Sequence, residues 1–405
     1  MSPAPRAIPS VAGAAADAPG RAVGRYAELE GYRGLAALAI VVFHVNQYAV
    51  TGVPELFGPR SGLTPRLLHG LDAFVELFFV LSAFLLTLPY ARSALAGEPS
   101  PSGRAFAVRR AARIVPLYLV AVLVVWAWRN PVLPGDLVDL VEHLTFTQVF
   151  DQQRIFWTIG PAWSLAVEVH FYLLLALLGA LACRLCRRVG PRARPAVLLG
   201  GTALLAGSSL AWKGVAWHVL DVPETSWPTW FTLPAKLDVF ALGMALAVVV
   251  ALGRTTLGRG AALAVRAASV GVLALAVATR PPQGEGEHVW FHSLAALGFG
   301  LLLASSVLGP RDRWVRMLGG PVPSFLGVVS YSLYLWHEPI LLWLSGAGLL
   351  PPQDSPLVFP VGVAVLVPAS VLVAWVSYLV IERPAATLGV LVDRSGKPRD
   401  YYDGS

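Results

Sequence analysis

Seven ionisable side chains lie inside, or at the edge of, long apolar runs: Arg33, His44, Glu76, Arg113, Glu168, Asp238 and His337. A charge at mid-bilayer costs roughly 2.5–3.5 kcal/mol on insertion scales. A chain that keeps so many uses them. Imidazoles titrate near neutral pH, carboxylates orient them, and guanidinium forks fit phosphate oxygens. The set therefore suits a membrane enzyme or a transporter.

Several of these residues sit in distinctive strings. His44 follows Arg33 by eleven residues, roughly 16 Å along a helix and close to three full turns, so the two share a face. Alone, Arg33 reads as a snorkelling anchor and His44 as a helix–helix hydrogen-bonder. Glu76 opens the run Glu-Leu-Phe-Phe-Val-Leu-Ser-Ala-Phe, which contains Ser82. Arg110 and Arg113, three apart on one helix face, precede Pro116 and Tyr118. Paired guanidinium forks suit phosphate; topogenic charge is the alternative. Trp163, Ser164 and Glu168 open another apolar run, and Tyr331 and His337 stand in Ser-Tyr-Ser-Leu-Tyr-Leu-Trp-His-Glu-Pro. Pro339 is expected to kink its helix just after His337.

In this order, the Arg33/His44 pair and the strings at 78–84, 110–118, 163–172 and 330–339 resemble the acyltransferase 3 family, from Tyr32 to Pro384. Ala83 is the visible departure, at a position where the family usually carries Gly. The resemblance implies a membrane O-acyltransferase that moves an acyl group, acetyl by default, from acyl-CoA to a hydroxyl of a glycan, envelope carbohydrate or secondary metabolite. On that reading Arg33, Arg110, Arg113 and Tyr118 hold the donor at the inner mouth. His44 is the general base or a transient acyl carrier, oriented by Glu168. His337 is a second candidate base or a positioning residue. Glu76, Ser82, Trp163, Ser164 and Tyr331 touch or orient substrate, with the two serines as oxyanion donors. No permanently bound cofactor and no metal is expected. The family also has versions with an appended extracytoplasmic domain, and this chain resembles the stand-alone kind.

These residues need elements to hold them. The chain is 56% hydrophobic and only 14% charged, against about 25% charged for a soluble domain. An all-α polytopic membrane bundle follows. About ten segments have the ~20 apolar residues that a crossing requires: 33–50, 72–91, 113–129, 162–183, 195–212, 230–252, 261–279, 289–308, 324–346 and 357–381. An aromatic stretch between Trp212 and Trp230 suits an interfacial helix. Residues 1–28 read as a disordered cytoplasmic lead-in without a cleavable signal, 29–384 as the membrane domain, and 385–405 as a cytoplasmic tail.

Of the 31 basic residues, 23 fall on one side of this topology, and six, including Lys213 and Arg154, on the other. The bias predicts a multi-pass plasma-membrane protein with both termini cytoplasmic. Short basic clusters of this kind point to a bilayer rather than to nucleic acid. Lys236 and Asp238 are candidates to pair with each other or with Arg154. Cys183 and Cys186 form a lone C-x-x-C, read as two small apolar fillers. The competing class is a proton-coupled transporter of a small polar solute. It lacks support from any internal repeat or matched pair of broken helices.

Overall fold

The computed structural model describes residues 28–52, 56, 62–253, 255–281 and 285–392. Of the expected lead-in (1–28), residues 1–27 lie outside the described residues, while Glu28 opens the first helix; 393–405, Arg60 and Arg254 also lie outside. Among the described residues, regular structure is helical with no strand. The long helices are α1 (Glu28–Gly52), α2 (Leu63–Ala96), α3 (Gly103–Arg129), α4 (Ala162–Arg188), α5 (Arg194–His218), α6 (Trp227–Leu252), α7 (Arg259–Ala278), α8 (Glu287–Val307), α9 (Ser330–Gly346) and α10 (Val358–Thr387). Among the described residues, nine of these, all but α9, are long and apolar enough to cross a membrane.

The exception has a physical cause. The expected segment 324–346 is broken at Val329, with Pro321–Val328 forming a separate short helix. That short helix lies directly on α1. A side chain at Gly327 would run into the backbone oxygen of Glu30, and one at Gly31 into that of Leu318. The chain bends at Val329 to make this backbone-to-backbone seat, while α9 continues through Pro339. The break lies ten residues before Pro339, and the helix runs on through that proline. Seventeen residues of α9 span about 25 Å, slightly less than the ~30 Å hydrocarbon layer, and the short helix extends it. With α9, the described residues hold ten long helices.

Helix ends are fixed locally. The Ser102 hydroxyl accepts from the Ala105 N–H (3.2 Å) to start α3, and Gly97 closes α2 in the left-handed region at φ 78°. A core of aromatic rings joins α2, α4 and α6. Phe171 stacks on Phe240 at 4.0 Å, and Phe79 lies 4.7 Å from the same ring. Ala83 fits because it faces Gly243 on α6, whose added Cβ would meet Ala83 at 2.7 Å. The glycine that permits close approach is therefore on the partner helix.

The outer faces are apolar. On α4, Leu173, Leu177, Leu181 and Leu185 recur every fourth residue and are 65%, 71%, 48% and 41% exposed. A continuous leucine stripe facing outward is a lipid-facing surface, so this is a multi-pass membrane protein. Cys183 and Cys186 are free and buried beside Ala91, Leu198 and Val248, as fillers.

The buried charges are paired across helices. Lys236 bonds Glu76 at 3.2 Å, and Asp238 bonds Lys213 at 2.8 Å and the Ser209 hydroxyl at 2.9 Å. This corrects two expectations. Lys236 and Asp238 do not pair with each other, because residues two apart point to opposite sides of a helix. Nor does either meet Arg154, which is bound to Asp136 and Asp151. Lys213 belongs to α5 rather than to an outer loop, since that helix runs on to His218.

Candidate active site

The two ends of the bundle differ. At the basic end, Arg33 of α1, Ser82 of α2, Arg110 and Arg113 of α3, Glu168 and Tyr172 of α4, and Tyr331 of α9 converge on one narrow cavity. Its volume is about 40 Å³, enough for a few waters but too small for an organic substrate. Ser82 donates to Glu168, and the Tyr172 hydroxyl bonds the same carboxylate. Tyr331 donates to the Ile114 carbonyl at 2.8 Å, which locks α9 against α3. Arg113 feels the like charges of Arg33 and Arg110 and the opposite charges of Glu30 and Glu382. The Nε of Arg33 is buried without a partner. Three guanidinium groups meet at this mouth, and such forks match the geometry of an anion with several oxygens.

Glu382 was not singled out by sequence reasoning. It ends a single π-helical turn, Tyr378–Glu382, and accepts from the Ser332 hydroxyl. Its carboxylate lies close enough to Arg113 and Arg33 to interact with their charges, and π-turns are frequent at functional sites.

Higher in the bundle, His44 and His337 meet. His44 Nδ1 lies 3.1 Å from His337 Nε2, with ring centroids 4.7 Å apart. Backbone carbonyls fix the tautomers. His337 Nδ1 is 3.2 Å from the Leu333 carbonyl, which accepts only, so that nitrogen carries the proton and Nε2 has the lone pair. His44 Nδ1 then donates, shared between His337 Nε2 and the Ile40 carbonyl at 3.0 Å. The lone pair of a neutral His44 consequently sits on its Nε2. His337 is fully buried and His44 half-buried, so His44 is the more accessible base. Glu338 lies in the vicinity of His44, and its Oε2 accepts from the Gly160 N–H at 2.7 Å. Glu338 was visible in the sequence next to His337, but a carboxylate beside a Pro carried no signal of its own.

Other expected partners are apart. Glu168 does not contact His44; it belongs to the arginine cavity, roughly 16 Å away along α1. Ser82, which binds Glu168, is six residues beyond Glu76 on α2, about 9 Å deeper. Glu76 instead joins Lys236 and His292, the latter at 2.9 Å. Trp163 covers the Lys236 ammonium at 5.6 Å. Ser164 shares a 2.8 Å bond with the Tyr334 hydroxyl, between the histidines and the cavity. Tyr118 faces away from the arginines, stacked on Phe146 at 4.3 Å and bonded to Gln148. Five residues past Arg113, it falls on a different face of α3. Ser82 commits its proton to Glu168, which removes it as an oxyanion donor in this arrangement.

At the opposite end, Arg280 binds both Asp72 and Glu287. Two groups of potential metal ligands occur there, Glu287/His288/His292 and His69/Asp72/Glu287. Both rely on Glu287, whose carboxylate is already neutralised by that guanidinium.

Known proteins carry the same pattern. The acyltransferase domain profile, Acyl_transf_3, matches residues 26–379. The chain belongs to the acyltransferase 3 family. As a member of that family it is an acyltransferase, and the match covers nearly all of the described residues. The protein named "Putative membrane-bound transacylase BcsY" from Komagataeibacter xylinus is 28% identical over 334 residues, 78% of this chain and 72% of that one. The exopolysaccharide production protein ExoZ of Rhizobium meliloti (strain 1021) is 28% identical over 325 residues, 78% of this chain and 90% of the relative. "Putative O-acetyltransferase SACOL0978" of Staphylococcus aureus (strain COL) is 23% identical over 337 residues, 77% of this chain but only 50% of that protein. This acyltransferase 3 chain thus aligns with about half the length of the staphylococcal relative. No solved structure matches it.

Proposed function

We propose that this acyltransferase takes its acyl group, acetyl in the simplest case, from acyl-CoA held at the arginine end, and passes it to an acceptor hydroxyl near His44. The observation that carries this reading is the His44–His337 pair at 3.1 Å, whose tautomers leave His44 Nε2 free to accept a proton. Arg33, Arg110 and Arg113 would bind the donor phosphates, and the long thin pantetheine arm would bring the thioester up towards the histidines. The cavity is too narrow for that arm, so side chains around Leu85, Leu86 and Tyr331 must move for the donor to enter.

In the proposed step the acceptor oxygen attacks the thioester carbonyl carbon while His44 Nε2 takes the hydroxyl proton. The C–S bond then breaks, and the proton passes from the imidazolium to the leaving CoA thiolate. His337 holds the His44 ring and its tautomer, the part a carboxylate plays in a Ser-His-Asp triad. A two-step route through acyl-His44 uses the same nitrogen as nucleophile. The acceptor is a glycan, an envelope carbohydrate or a secondary metabolite, and the name of the exopolysaccharide production relative favours the first two. The distribution of basic residues supports a plasma-membrane protein with its arginine end and both termini cytoplasmic.

The test is to incubate the protein in nanodiscs with radiolabelled acetyl-CoA, with and without host extract, beside His44→Ala. Label on an extract component, with CoA released only when His44 is intact, is the expected result. Equal consumption of thioester by the variant would remove His44 from the chemistry. Consumption by neither, despite retained CoA binding, would remove acetyl-CoA as donor.

A further inference from the structure

A second pocket lies at the end of the bundle opposite the arginines. It is about 640 Å³ in volume, within the range of small-molecule sites. Trp217 and His218 from the end of α5, Asp221 and Glu224 from the following loop, Trp227 at the start of α6 and His288 of α8 line it. The loop is well fixed. Pro223 accepts from the Trp230 indole at 3.0 Å, and the Val222 N–H reaches the Ala216 carbonyl at 2.9 Å. The buried Glu224 carboxylate accepts from the His288 N–H at 3.0 Å, tying the loop to α8.

The lining chemistry selects a ligand class. Among the described residues that line it, Asp221 and Glu224 are acidic and none is Lys or Arg. A polyphosphate such as CoA is repelled there, in contrast to the three-arginine cavity at the other end. Trp217 and Trp227 both line it; indole rings pack on apolar C–H surfaces, and carboxylates accept strong hydrogen bonds from hydroxyls. A neutral pyranose presents both matching surfaces, an apolar C–H face and a rim of hydroxyls. A polar and aromatic series leads inward from the pocket. His288 stacks on His292 at 5.5 Å, and His292 meets Glu76, which binds Lys236 beneath Trp163. The next residue, Ser164, bonds Tyr334, whose ring is 5.8 Å from His337.

We infer that this pocket seats a neutral sugar unit of the acceptor, which approaches from the end opposite the acyl donor. Its role as an acceptor site rests on the transferase reading above; sugar binding itself does not. The experiment titrates nanodisc-embedded protein with cellobiose, maltose, lactose and chitobiose, reading tryptophan fluorescence and calorimetric heat, while acetyl-CoA consumption is measured separately. At least one disaccharide is expected to bind saturably, about tenfold more weakly to Trp227→Ala and about fivefold more weakly to Asp221→Asn. CoA should not displace it. Asp221 is exposed at φ 48°, a conformation Asn also tolerates, so that variant keeps the fold if the indole variant does not. No binding by any of the four sugars, unchanged affinity in Asp221→Asn, or displacement by CoA would each overturn the assignment. Sugar binding without acetyl-CoA turnover would remove acetyl-CoA as the donor and leave the pocket standing. Turnover without sugar binding would do the reverse.

Discussion

Removing the His44 imidazole deletes the one nitrogen that the tautomer chain leaves free to take a proton. His44→Ala is expected to lower kcat by about 100- to 10,000-fold, the usual share of general base catalysis, with insertion intact. Steady-state rates beside an unchanged size-exclusion profile check this, and near-normal turnover would eliminate His44 as the base. Arg113→Ala acts at the other end. It should raise the apparent donor KM about tenfold, or about 1.4 kcal/mol, with kcat changed little. An unchanged donor KM would return Arg113 to setting topology. Glu168→Gln belongs with the arginines rather than with His44, because Glu168 is bonded to Ser82 in their cavity. Its effect should fall on the donor KM and leave the pH profile of kcat in place. A moved profile would mean that Glu168 acts on the imidazole after all.

At the scale of elements, the seat of the short helix Pro321–Val328 on α1 decides where Arg33 and His44 stand. The contact is backbone against backbone, so the neighbour cannot give way as a flexible side chain would. Gly327→Val is expected to destabilise the protein by about 1–3 kcal/mol, as overpacking does, and to weaken donor binding by shifting Arg33. Thermal unfolding in detergent and a CoA titration would measure both. A variant of unchanged stability would show that α1 can slide without cost. The same contact explains why ten segments could be placed from hydropathy while the ninth could not be drawn intact. Apolar content records membrane exposure, but the break at Val329 comes from a neighbour 300 residues earlier in the chain.

Across the whole molecule, charges buried in the bundle are neutralised between helices that are distant in sequence. Lys213→Met should cost about 3–5 kcal/mol, because it strands Asp238 without its cation. Adding Asp238→Leu should recover most of that loss, since an apolar pair of similar volume needs no desolvation. A double variant as unstable as the single one would mean that the pair does more than neutralise charge. Sequence by itself determined the helical membrane architecture, the family strings and the residues able to do chemistry, because hydrophobic periodicity and residue type are local properties. It also placed Arg33 and His44 at different depths, which follows from helix rise alone. Only the tertiary structure decided which groups meet: His337 rather than Glu168 at His44, Glu168 with Ser82 among the arginines, Lys236 with Glu76, and the second pocket at the opposite end. A partner is chosen by the rotation and depth at which helices pack. Those are set by backbone contacts such as Gly327 on Glu30, which no single segment records.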